Sequence, residues 1–266
     1  MKKIFITNDD GIKSPGLLAA VEAVVGLGEI IVAAPTSQQT AMSRSLRSAP
    51  DAYLQEIDFP VNGYNVKAYH CDATPAMIVQ HVFNVIFQNE KPDLVISGIN
   101  YGENLGYDAM LSGTVGAAFQ GAAEGVQAIA ASLQTEIHNH MNYGEVNWET
   151  AKYFLKLFTK KLLNEPLPRG ADIIKIDVPA EATRATDWRI TNLAKQHYYT
   201  VDINDPKVTS KIWDMKVRVN DFNPDLDRQS DIHALAIDNV VSVTPLCMDM
   251  SANVMIEKIN EFLSTS

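Results

Sequence analysis

Five stretches of this chain are nearly continuous apolar runs of strand length: KKIFIT, EIIVAAP, DLVISGI, VQAIAASL and ADIIKIDVP. A strand exposed on one face alternates apolar with polar residues, so runs of this kind describe strands covered on both faces. The segments between them have helical spacing: PGLLAAVEAVV, AMIVQHVFNVIF, VGAAFQGAAEG and WETAKYFLKLFTKKLL. Ser14-Pro15 and Thr74-Pro75 read as helix starts, because a hydroxyl can cap free amides and proline suits the first helical position. Buried strands alternating with helices leave few solutions, and a doubly wound, mainly parallel α/β sheet is the leading one.

From about Trp188 the rhythm changes. DWRITNLAK, SKIWDMKVRVN and DIHALAIDNVVSVTPL read as extended ribbons, and SANVMIEKINEFL reads as a closing helix. The expected division is a core over residues 1–187 and a ribbon-rich extension over 188–266. The extension is either a small subdomain or an arm that pairs with another subunit.

With 266 residues, 46% of them hydrophobic and 20% charged, the chain has the composition of an ordinary globular protein. Its net charge of −10 argues against a partner that is a nucleic-acid polymer, which needs a basic surface. A small phosphorylated substrate remains open, since a bound divalent cation inverts the local charge. No apolar run reaches the roughly 20 residues needed to span a bilayer. The opening IFIT is too short for the core of a signal peptide. Cys71 and Cys247 are the only cysteines, which suits a reducing compartment. A cytoplasmic location with no membrane partner is therefore expected.

The first strand ends in Asp9, Asp10 and Gly11. Two charges about 4 Å apart repel by roughly 4 kcal/mol at an effective dielectric near 20. Such a pair is tolerated in a solvated turn, with one member protonated, or with a cation between them. In a parallel sheet, ligands gather beyond the carboxyl ends of the strands. Two further ends carry oxygen ligands there: Thr40 and Ser43 after the second strand, and Asn100 after DLVISGI. Carboxylate, hydroxyl and amide oxygens suit Mg²⁺ or Mn²⁺, and no histidine or cysteine cluster has zinc spacing. Ser112, Gly113 and Thr114 open the next helix, where free amides can seat a phosphate or serve as a plain cap. No G-x-G-x-x-G follows the first strand, and no G-x-x-x-x-G-K-[ST] occurs. HNH at His138 to His140 reads as coincidence, and His197 reads as a packing or surface histidine.

ITNDDGIKSPGL, VAAPTSQQTAMSRSL, PDLVISGINYGENLGYDAMLSGTVGAA and, more loosely, ITNLAKQHYY and DIHALAIDNVVSVTPL together resemble the stationary-phase survival protein SurE family of metal-dependent nucleotidases. The resemblance runs from end to end. It implies a Rossmann-like core that removes phosphate from nucleoside monophosphates using Mg²⁺ or Mn²⁺, with 3′-nucleotides or polyphosphate as further substrates. The family's metal-binding acids fall on Asp9 and Asp10 and its asparagine ligand on Asn100. Its serine ligand falls on Thr40, which keeps the hydroxyl but restricts the rotamer. A second family serine falls on Ser43, and the helix-start pattern on Ser112, Gly113 and Thr114.

On this reading Asn100 completes the metal sphere, while Ser43 and the Ser112 helix end hold phosphate oxygens. Asp9 is the candidate to accept the proton of the attacking water, a role that simple ligation would mimic. The resemblance also implies exchange of carboxy-terminal segments in a homodimer or homotetramer. The rival is a receiver-like, Mg²⁺-binding switch module, with SGT and Lys175 standing for its hydroxyl and lysine. Asn100 stands where that module needs an acceptor aspartate.

Overall fold

The apolar runs become the middle of one sheet in the computed structural model, which describes residues 1–264 apart from 62, 65, 89, 224 and 252–254. The chain runs β1 (Lys3–Thr7), α1 (Pro15–Val24), β2 (Glu29–Pro35), β3 (Gln55–Ile57), β4 (Lys67–Cys71) and α2 (Pro75–Val82). It continues with β5 (Leu94–Tyr101), α3 (Gly113–Ala123), β6 (Ala128–Leu133), α4 (Glu149–Asn164) and β7 (Ile173–Val178). The remainder is β8 (Trp188–Ile190), β9 (Tyr199–Asp202), β10 (Lys216–Val219), β11 (Val241–Leu246) and α5 (Ile256–Ser264).

Among the described residues the main sheet has the order β3-β4-β2-β1-β5-β6-β7-β11-β8. From β4 to β7 the neighbours are parallel, while β3 and β11 run antiparallel to β4 and β7. This is the doubly wound, mainly parallel α/β sheet that the alternation of runs predicts.

Both faces are covered, and side-chain alternation along each strand decides which residue meets which layer. Ile4 and Ile6 of β1 join Leu17, Val21, Phe154 and Leu155 under α1 and α4. Phe5 points the other way, to Ile78, Val82, Val115 and Ala118 under α2 and α3. Ser14 caps α1 by accepting from the Gly16 amide at 3.2 Å, and Pro15 and Pro75 occupy first-turn positions.

The carboxy-terminal third differs from a set of separate ribbons in two respects: β8 and β11 join the main sheet, and one stretch is helical. DIHALAI is helical: Ser230 accepts from the His233 amide at 3.3 Å, and His233–Ile237 form a wide helical turn. Only the second half of that stretch is a strand, and β11 lies in the main sheet with Val241 and Val243 buried. The β9–β10 pair forms a separate antiparallel ribbon. The closing helix is present as α5, and its expected first turn at 252–254 lies outside the described residues. The strands β3 and β4, which extend the sheet beyond β2, carry no strong run in the sequence.

The chain starts in the middle of the sheet, moves to one side through β2 and β4, and returns to the other side of β1 with β5. Such a reversal opens a crevice at the carboxyl ends of β1 and β5. Asp9 and Asp10 follow β1, and Asn100 lies at the end of β5.

Candidate active site

The turn after β1 is held by Asn8, whose amide donates to the Gly11 carbonyl and accepts from the Gly11 amide, both at 3.1 Å. The loop after β2 is tied to it, since Gln39 N donates to the Asp9 carbonyl at 2.7 Å. Asp9 and Asp10 are therefore fixed, and they are nearly fully buried, with 6% and 3% exposure.

Asp9 lies against the start of α3. The Thr114 hydroxyl donates to its Oδ1 at 2.5 Å and also lies 3.1 Å from Asn100 Oδ1. A Cβ on Gly113 would stand 2.7 Å from Asp9 Oδ2, so glycine is what allows this approach. Burial pushes the Asp9 carboxyl up, and the Thr114 hydroxyl and the amides of Thr114 and Gly113 pull it part of the way back. Asp10 is pushed well above the carboxylate range, first by burial and then by the charge on Asp9. Its Oδ1 accepts from Gln38 at 3.1 Å and its Oδ2 from the Tyr101 amide at 3.1 Å.

Asn100 sits where the β5–β6 register shifts, a bulge of the kind that re-aims a side chain. Its NH₂ donates to the carbonyls of Tyr101 at 3.1 Å and Gly102 at 2.8 Å. The amide oxygen is thereby turned toward Thr114 and Asp9. Ser112 accepts from the Val115 amide at 3.1 Å as the cap of α3, so its own O–H is left to donate.

A cavity of about 780 Å³ opens here, and Asp9, Asp10, Thr40, Asn100 and Ser112 all reach its wall. That volume suits a ligand of nucleotide size. Thr40 is exposed, with its hydroxyl 3.7 Å from Met141 Sδ. Ser43 does not line the cavity. Its backbone is left-handed, its amide bonds the Leu111 carbonyl, and its hydroxyl donates to the Met110 carbonyl at 2.8 Å. Gly113 and Thr114 lie behind the wall, turned to Asp9.

Lys175 is not at the cavity. It is fully buried and paired with Asp177 at 2.5 Å and Asp231 at 3.1 Å, so it cannot serve as a receiver-type lysine. Those carboxylates accept from the Asn104 and Gly106 amides, at 2.8 and 3.0 Å, and pin the loop that follows β5.

Two of the three histidines set aside in the sequence, His140 and His197, line the cavity. His197 Nδ1 lies 2.7 Å from Asp108 Oδ1, while Asp108 Oδ2 accepts from the amides of Tyr198 and Tyr199. The ring of His140 meets Tyr199 edge to face, with centroids 5.8 Å apart. Burial draws its pKa below the usual histidine value. Glu103 and Tyr199 belong to the same wall. Burial raises the Glu103 carboxyl to about 7, against the opposing pull of the Tyr198 and Tyr199 hydroxyls. No spacing signal marks these residues, because β9, the 137–141 turn and the loop after β5 meet only in the fold.

The family model described as survival protein SurE matches residues 4–200. The chain is 38% identical to the 5′-nucleotidase SurE of Thermococcus gammatolerans over 264 residues, covering 98% of this chain and 96% of that one. It is 36% identical to the 5′-nucleotidase SurE of Thermococcus kodakarensis, covering 98% of both. Among solved structures it is similar to the SurE protein from Aquifex aeolicus, with a TM-score of 0.78 at 28% identity, over 98% of this chain and 99% of that one. Matched by the family model over most of its length, and by relatives nearly end to end, this chain belongs to the SurE family.

Proposed function

We propose that this protein is a metal-dependent phosphomonoesterase that hydrolyses nucleoside 5′-monophosphates to nucleoside and phosphate. One observation carries the reading: two adjacent carboxylates, Asp9 and Asp10, are almost completely buried at the wall of a nucleotide-sized cavity. Among the described residues, no salt bridge reaches either of them. Buried charges are ordinarily paired or bound to metal. The activity named for the Thermococcus relatives, 5′-nucleotidase, points the same way.

The donor set fits a hard divalent cation. Among the described residues no group of three or more His, Cys, Asp or Glu side chains converges, which disfavours a zinc-type site. Two carboxylates with the Asn100 amide oxygen and the Thr40 hydroxyl make an all-oxygen set suited to Mg²⁺ or Mn²⁺. Asp9, Asp10, Asn100 and Thr40 would hold the ion. When bound, such an ion supplies positive charge to phosphoryl oxygens and lowers the pKa of a water.

The chain's own groups do the rest. On this reading Asp9, anchored by Thr114, takes the proton of the attacking water. The free O–H of Ser112 can donate to a phosphate oxygen where charge grows. Ser43, with its hydroxyl engaged at Met110, contributes by holding the loop that carries Thr40. The apolar wall from β9, β10 and the residue before it, including Tyr199, Val201, Met215 and Val217, gives the nucleoside a surface away from water. We further propose a homodimer or homotetramer assembled through segments in 188–266, and a cytoplasmic location suited to two free thiols. No helix among the described residues is long and apolar enough to cross a membrane.

Phosphate release from a panel of nucleoside 5′- and 3′-monophosphates and polyphosphate, with Mg²⁺, Mn²⁺ or chelator, tests the reading. Release from the 5′-monophosphates that requires metal supports it. Absence of release, or release unaffected by chelator, overturns it.

A further inference from the structure

Among the described residues, three buried polar atoms of side chains that line the cavity make no hydrogen bond of normal geometry: Glu103 Oε2, His140 Nε2 and the Tyr199 hydroxyl, though the Tyr198 and Tyr199 hydroxyls come near enough to Glu103 to draw its carboxyl down. Buried polar groups are nearly always paired, so each orphan calls for an explanation. Here the three come from separate parts of the chain and are packed into one cluster. The His140 ring lies against Gly102, where an added Cβ would stand 2.4 Å from Nε2, and it meets Tyr199 edge to face. Glu103 is 4% exposed. It is held in place from behind, because the next residue, Asn104, is fastened to Asp177 and Ser132, both at 2.8 Å. Tyr199 is fastened through its amide to Asp108 at 2.8 Å. The side chains are fixed and their polar ends are incompletely paired, which is the condition of a binding site built ahead of its ligand.

Their position says which part of a ligand they meet. Glu103 lies three residues beyond Asn100, and the Asn100 amide donates to the Gly102 carbonyl, so the loop folds beside the carboxylate pair. In a nucleotide whose phosphate sits at Asp9 and Asp10, the group next to the phosphate is the sugar. Sugar hydroxyls both donate and accept, so two of them can satisfy a carboxylate, a phenol and an imidazole at once. A carboxylate that accepts from ribose hydroxyls is the device used in dinucleotide-binding folds.

We propose that Glu103, Tyr199 and His140 form a clamp for the 2′- and 3′-hydroxyls of a ribonucleotide, and that this chain selects ribonucleotides over deoxyribonucleotides. The choice of ligand rests on the nucleotidase reading. A site that bonds a hydroxyl discriminates against the ligand lacking it, because its buried groups are then left unpaired.

The test is calorimetric binding of the four ribonucleosides beside their 2′-deoxy and 3′-deoxy counterparts, to the parent and to Glu103→Gln and Tyr199→Phe. These probes carry no phosphate, so binding is read without turnover. The parent should bind ribonucleosides at least tenfold more tightly than the deoxy forms. Both variants should lower that ratio to threefold or less. The ratio is taken within each protein, so a general loss of folded material cancels. A parent ratio near one, variants that keep the parent ratio, or no binding of any nucleoside overturns the clamp. Ribonucleoside selectivity without phosphate release from any nucleotide sinks the phosphatase reading and leaves the clamp standing. Metal-dependent release with no selectivity does the reverse.

Discussion

Replacing Glu103 with glutamine should make the protein more stable above neutral pH and leave it nearly unchanged in acid. The carboxyl is 4% exposed, and burial raises it from an ordinary 4.5 to about 7 in the folded chain. In the unfolded chain it ionises near its ordinary value. Between those two pH values the folded state holds a proton that the unfolded state has released. Stability associated with this group is therefore full below about pH 4.5 and is lost as the pH rises through about 7. A difference of that size corresponds to about 3 kcal/mol at pH 8 and under about 1 kcal/mol at pH 5. Glutamine has the same shape and no charge to bury.

Urea unfolding of parent and Glu103→Gln in chelator should therefore diverge with pH. The variant should gain about 3 kcal/mol at pH 8, or about 6–12 °C in Tm for a chain of this size. Asp9 and Asp10 titrate in both proteins, so their contribution cancels in the difference. A gap that is flat between pH 5 and pH 8, or a variant that is weaker at pH 8, would refute the argument that Glu103 is kept buried at a cost to stability.

Lys175→Met should lower stability by about 3–5 kcal/mol in urea unfolding, because it leaves Asp177 and Asp231 buried without their cation. Thr40→Val should raise the Mn²⁺ concentration needed for phosphate release while activity recovers at saturation, and Thr40→Ser should titrate like the parent; water can replace one neutral ligand. Gly113→Ala should cut phosphate release by tenfold or more at saturating Mn²⁺, since its methyl group would stand 2.7 Å from Asp9 Oδ2. Far-ultraviolet dichroism matching the parent would separate that effect from unfolding.

The sheet was legible because its signal is local. Ile4, Phe5 and Ile6 are contiguous, and burial on both faces is written into that run. The cluster of Asp9, Asp10 and Asn100 was legible for a topological reason, since strand ends of a parallel sheet converge whatever lies between them. DIHALAI was misleading because its apolar spacing fits a strand as well as a short helix. Ser230, which caps the turn, was the overlooked cue. Glu103, His140 and Tyr199 lie in stretches the sequence singled out, but nothing in a sequence tells which loop and which ribbon will share a wall. The same limit applies to the start of α3. SGT was readable as a helix cap, but the sequence does not say that Asp9 would take up its amides.

Whether the buried carboxylate pair is a metal site is decided most directly by titrating Mn²⁺ into the chelator-treated, metal-free parent and into Asp10→Asn, with the bound ion counted by electron paramagnetic resonance. The parent should take up one Mn²⁺ per chain, and Asp10→Asn, if folded, should need at least tenfold more metal for half-occupancy. Equal uptake by the two proteins, or none by the parent, would contradict the account.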